Sequence, residues 1–182
     1  MTSLKPVSGM AASKYACMSR RDFLILGGTA VTVVAVVSHG AFAQELVTSS
    51  YRRKIIGKVS ELEPGVAVPF NYPTDDIENL LMMLGEEAGG GVGAQRNIVA
   101  FNTICPHMGG YMGKSEFKSQ HSVLGPCSLH LSTFDLTKHG MIVSGHSTAS
   151  LPQIVLQIES NDIIATGVMG LFYGYNRNPS GG

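Results

Sequence analysis

Charge is scarce in this chain and evenly balanced. Only 14% of its 182 residues are Asp, Glu, Lys or Arg, and the formal net charge is zero. No basic run or stripe is present, which argues against a nucleic-acid-binding surface. Thiols are scarce too, with Cys17 near the start and only Cys105 and Cys127 in the body. Two body cysteines cannot build a disulfide-stapled scaffold. A long apolar run is also missing, since the stretch from Phe23 to Val37 falls short of the ~20 residues a spanning helix needs. What remains is 44% hydrophobic residues with 22 Gly and 8 Pro, a mixture that suits a turn-rich β domain.

Residues 1–43 read as a cleaved leader. Ser19-Arg20-Arg21-Asp22-Phe23-Leu24 resembles the twin-arginine export signal, an apolar core follows, and Ala41-Phe42-Ala43 is a small-x-small cleavage pattern. Export by that route implies a periplasmic protein that folds before it crosses the membrane. Without the leader the body, residues 44–182, carries nine basic and twelve acidic side chains and is mildly acidic.

The body predicts short strands at 51–58, 66–70, 80–84, 97–104, 134–136, 141–143, 153–159 and 163–168. Pro69 and Pro73 limit how far the second of these can extend inside a sheet. The Gly89-Gly90-Gly91-Val92-Gly93 run lacks the following Lys-Ser/Thr of a phosphate loop and reads as an ordinary loop. The expected fold is all-β, an antiparallel sandwich or barrel, with residues about 101–150 forming a smaller ligand-bearing subdomain.

Chemistry concentrates in two strings, Cys105-Pro106-His107 and Cys127-Ser128-Leu129-His130. Each supplies one thiolate and one imidazole. A [2Fe–2S] cluster of the Rieske kind needs two Cys on one iron and two His on the other. Cys105 and Cys127 are therefore expected on the inner iron, His107 and His130 on the outer. With two ferric ions, two sulfides, two thiolates and neutral imidazoles, the cluster is formally neutral, so it accepts an electron more readily than an all-Cys dianion. Structural zinc sites usually pair Cys with Cys and His with His, and the alternation here does not follow that pattern. Ser132, two positions beyond His130, is placed to donate a hydrogen bond to a cluster sulfur and raise the potential. His121, His139 and His146 fall outside both patterns and read as surface turn residues, with His146 a candidate neighbour of the centre.

These boxes, extended as Cys105-Pro-His-Met-Gly-Gly110 and Cys127-Ser-Leu-His-Leu-Ser-Thr-Phe-Asp135, resemble the Rieske iron–sulfur family. Gly145-His-Ser-Thr-Ala-Ser-Leu-Pro152 is similar to that family's cluster-covering proline loop. With the leader and the ending Ala165–Gly174, the chain resembles the small subunits of arsenite oxidases. The resemblance implies a Rieske fold and one [2Fe–2S] cluster. It also implies a large molybdenum–pterin partner subunit, and a soluble c-type cytochrome or cupredoxin as electron acceptor. It places Phe134 where many relatives carry a potential-raising Tyr. It also places Gly110 and Leu129 where many carry a loop-bridging disulfide, so the loops here must be held by packing and backbone hydrogen bonds alone. A Rieske subunit of a quinol-oxidising cytochrome complex is the competing reading, and it would need a retained membrane anchor. An oxygenase would need a further domain for a mononuclear iron site, for which this chain has no room.

Overall fold

A computed structural model describes residues 51–180, and the leader expected over 1–43 lies outside them. Among the described residues, ten strands form two antiparallel sheets. The larger comprises β1 (Lys54–Lys58), β2 (Ala67–Asn71), β3 (Glu78–Met83), β4 (Ile98–Asn102), β9 (Gln153–Glu159) and β10 (Asp162–Met169), in the order β1-β10-β9-β4-β3-β2. The smaller runs in sequence order through β5 (Phe117–Lys118), β6 (Val123–Leu124), β7 (Thr133–Asp135) and β8 (Met141–Ser144). No helix among the described residues is long and apolar enough to cross a membrane.

The large sheet curls until its outer strands nearly meet. Lys54 Nζ, on β1, donates to the Asn71 carbonyl at the end of β2 across 2.9 Å. Pro69 sits on β2, an outer strand, where its missing N–H costs no ladder bond to a further neighbour. The expected strand at 80–84 begins earlier, at Glu78, and β3 and β4 are buried on both faces. Alternate residues then serve two cores. Leu80, Met82, Val99 and Phe101 face one, and Leu81, Ile98 and Ala100 face the other.

The first core is the one that matters for the site. It contains Met112, Leu124, Phe134, Leu136 and Leu151, and also Cys105 and Cys127. Full burial of each large apolar side chain contributes about 1.5–3 kcal/mol. The two sulfurs are thus set in the seam between the sheets.

Strand β4 pairs with β9 only at Ala100–Ile154 and Phe101–Gln153, then leaves the sheet toward Cys105. A buried polar clamp fixes that departure. Asn102 Nδ2 donates to the Glu78 carbonyl at 2.9 Å and to Asn79 Oδ1 at 3.1 Å, while its Oδ1 accepts from the Ile104 N–H at 3.1 Å. Thr103 Oγ1 adds a second donor to the Glu78 carbonyl at 2.9 Å.

Candidate metal centre

The two cysteine loops close by the same pair of hydrogen bonds. In the first, the Cys105 N–H donates to the Gly110 carbonyl at 2.8 Å, and the Gly109 N–H returns to the Cys105 carbonyl at 3.0 Å. In the second, the Cys127 N–H donates to the Ser132 carbonyl at 2.9 Å, and the Leu131 N–H returns to the Cys127 carbonyl at 2.9 Å. Both turns pass through the left-handed region at the fourth residue after Cys, with φ 73° at Gly109 and 60° at Leu131. One backbone frame is therefore used twice, and each copy carries a buried Cys at its base and an imidazole further along.

The two loops meet where only glycine allows it. A Cβ on Gly110 would lie 2.5 Å from Cys127 Sγ and 3.1 Å from Leu129 Cγ. The Leu129 side chain thus packs over Gly110, in the place where the resemblance would put a disulfide. Cys105 and Cys127 are both free thiols, exposed by only 1% and 2%. The His107 ring is half-buried and the His130 ring lies at the surface, edge to face with centroids 4.7 Å apart. The structure therefore brings all four expected ligands together, sulfurs inward and imidazoles outward.

Burial pushes the Cys105 thiol up, and the adjacent Cys127 sulfur adds to the rise. The His107 backbone N–H and the Ser132 hydroxyl act against it, favouring the thiolate. Two anionic sulfurs side by side in an apolar seam are unfavourable alone and would be stabilised by a bound metal cation. Among the described residues, no three His, Cys, Asp or Glu side chains are placed to hold a single metal ion. A pair of sulfurs backed by a pair of imidazoles instead fits a binuclear group with unlike ends.

Ser132 is wholly buried. Its Oγ accepts the His146 and Ser147 N–H groups, each at 3.2 Å. With both lone pairs engaged, its proton stays free, and the hydroxyl favours the Cys105 thiolate. Phe134, also wholly buried, lies on β7 in the same core and has no polar atom to offer.

His121 is exposed, as expected. His139 is exposed but not purely solvated, since its Nδ1 meets Gln153 Oε1 at 2.8 Å. His146 stands beside the centre, its ring 5.9 Å from that of His107 and 6.2 Å from that of His130. Gly145 puts it there. A Cβ at 145 would lie 2.4 Å from Ser132 Cα, so the covering loop presses directly on the second box. The only sequence signal for His146 was its position in that loop.

A family model for the Rieske [2Fe-2S] domain matches residues 53–155. The chain belongs to the Rieske [2Fe–2S] family. It binds a Rieske-type [2Fe–2S] cluster, and the donor set above fits that group. Among curated proteins, the chain is 51% identical to the iodate reductase subunit IdrB of Denitromonas iodatirespirans, over 91% of its own length and 89% of that protein. It is 52% identical to the subunit of the same name from Pseudomonas sp. (strain SCT), over 88% and 84%. Among solved structures, the soluble domain of Rieske protein II (soxF) from Sulfolobus acidocaldarius superposes with a TM-score of 0.59. That match covers 76% of this chain and 88% of that one at 22% identity, a likeness of fold.

Proposed function

We propose that this chain is the Rieske electron-transfer subunit of a periplasmic, molybdenum-dependent iodate reductase. The observation that carries this reading is the match to two iodate reductase subunits along nearly the whole of both chains. Cys105 and Cys127 would hold one iron of the cluster, and His107 and His130 the other. When bound, the cluster takes up and releases a single electron.

The protein's own residues set how that happens. The apolar seam around Cys105 and Cys127 excludes water from the sulfur side. The Ser132 hydroxyl stabilises negative charge on the sulfurs, and Phe134 withholds a second such bond. His107 and His130 face outward, so electrons enter and leave at the surface between the two loops. A large molybdenum–pterin subunit stands on one side of this chain. On the other stands a soluble c-type cytochrome or cupredoxin.

Arsenite oxidation is the second reading, favoured by the ligand boxes, the leader motif and the C-terminal stretch together. The two readings reverse the electron flow. A reductase draws electrons from the cytochrome side through this chain to the catalytic subunit, and an oxidase sends them out.

The test is to purify the complex, record low-temperature EPR of the reduced sample, and assay both substrates. The expected result is a rhombic signal with mean g below two, stoichiometric molybdenum, and iodate-dependent oxidation of a reduced cytochrome. Arsenite-dependent reduction of that cytochrome, without iodate turnover, would establish the second reading. A silent spectrum with bound zinc would sink both.

A further inference from the structure

Beside the first cysteine loop lies a cleft of about 320 Å³. Its walls are aromatic, from Tyr111, Phe172, Tyr173 and Tyr175, and its charged lining consists of Asp76 and Glu78. No Lys, Arg or His lines it. The ion pairs among the described residues are Arg53–Glu159, Lys54–Asp75 and Arg96–Glu87, so neither Asp76 nor Glu78 has a cationic partner there.

The two carboxylates are held rather than loose. Tyr111 Oη donates to Glu78 Oε1 at 2.6 Å. Thr74 Oγ1 donates to Asp76 Oδ1 at 2.5 Å. That hydroxyl, with help from the Asp76 backbone N–H and from Tyr175, keeps the Asp76 carboxyl below the usual range. Glu78 in turn raises the Tyr111 hydroxyl, which remains a donor.

The cleft shares a wall with the cluster loop. Ile104 and Tyr111, which bracket the loop as a bridged pair, both line it. Tyr173 packs on the loop itself, and a Cβ at Gly109 would lie 2.5 Å from its ring. Whatever fills the cleft is therefore seated against the segment that carries Cys105 and His107.

We propose that this cleft receives the guanidinium of an arginine from the protein that exchanges electrons with the cluster. Aromatic faces attract a cation through their quadrupole, and a planar guanidinium stacks on them better than an ammonium does. Carboxylates at the rim accept its N–H groups in paired fashion. A neutral apolar side chain would leave two fixed carboxylates desolvated without compensation, which disfavours it. The role of the occupant's owner rests on the proposed function above, whereas the preference of the cleft for a guanidinium does not.

The test uses the cluster-loaded protein and N-acetyl-argininamide as probe, with N-acetyl-citrullinamide as its neutral isostere. Binding is read from broadening of the probe's NMR lines, first with the cluster oxidised and then reduced. The arginine probe should broaden, and broaden more on reduction, because the reduced cluster is paramagnetic and close by. The citrulline probe should not. The charge variant Asp76→Asn/Glu78→Gln and the uncharged variant Tyr173→Leu/Tyr175→Leu should each weaken binding by about tenfold. Glu61→Gln/Glu63→Gln, on exposed residues that do not line the cleft, should leave it unchanged. Equal broadening by citrulline, no broadening by arginine, or survival of binding in both cleft variants would each overturn the proposal. EPR of the same samples separates the failures. A missing cluster signal counts against the functional reading, and lost discrimination with an intact signal counts against the cleft alone.

Discussion

Replacing Ser132 with alanine tests the centre most directly, because one buried hydroxyl does two separable things. Its oxygen accepts two backbone N–H groups from the covering loop, at His146 and Ser147, and its proton favours charge on the Cys105 sulfur. A hydrogen bond to a charged group contributes about 1.5–3 kcal/mol. Only the part that strengthens when an electron arrives moves the potential. If that part is about half, roughly 0.75–1.5 kcal/mol, the one-electron potential falls by about 30–65 mV. The structural part is independent. Two N–H groups lose their acceptor, at about 1–3 kcal/mol each if they stay buried. Ser132→Ala should therefore both lower the potential and lower the melting temperature.

The assay is a potentiometric titration of the EPR signal, with thermal unfolding of the same preparation. Thr133→Ala serves as the comparison, because its hydroxyl makes only a long 3.4 Å bond to the Leu131 carbonyl. That variant should leave the potential in place. If Ser132→Ala keeps a full complement of iron and an unshifted potential while losing stability, the hydroxyl supports the loop alone and the electronic argument fails.

Four further outcomes are expected. Gly110→Ala should lose its cluster, since the added Cβ meets Cys127 Sγ at 2.5 Å, and iron content of the purified protein reports it. Leu131→Gly should stabilise the second loop by about 0.5–1 kcal/mol, because φ 60° strains an exposed leucine, and denaturant titration would expose a wrong sign. Asn102→Ala should cost roughly 2–3 kcal/mol by stripping the clamp beneath Cys105, and unchanged stability in urea would contradict the clamp. Tyr72 is wholly buried with its hydroxyl unpartnered among the described residues, and burial, with Tyr51 beside it, pushes its pKa up to about 12. Its folded value exceeds the unfolded one, so up to about 2.7 kcal/mol of stability present below pH 10 should be lost between pH 10 and 12. Tyr72→Phe should flatten that alkaline loss in a pH series of melts.

The four candidate ligands were legible as a group in the sequence because their chemistry is concentrated. Cys105, His107, Cys127 and His130 lie in two short strings, and no other pairing of thiolate with imidazole competes. The eight predicted strands were legible through apolar runs and alternation, and β3 and β4 read as solid apolar runs because both their faces are buried. Strands β5 and β6 were not, since two residues each carry no period to detect. The cleft was invisible for a different reason. Asp76, Tyr111 and Tyr173 are ordinary residues in sequence, and only the fold brings positions so far apart to one wall. His146 lies between these cases, being flagged by its loop but placed by the contact of Gly145 with Ser132.

The repeated loop frame explains how unlike ligands end in the right order without a disulfide. Both copies put Cys at the residue whose N–H and carbonyl are both consumed in closing the turn, so each sulfur is rooted where the backbone is most constrained. The histidines come two positions later in one loop and three in the other. The two rings stand edge to face, with an interplanar angle of 85°. Each turn thus offers one donor to either end of a binuclear group, and Leu129 over Gly110 holds the turns together by packing.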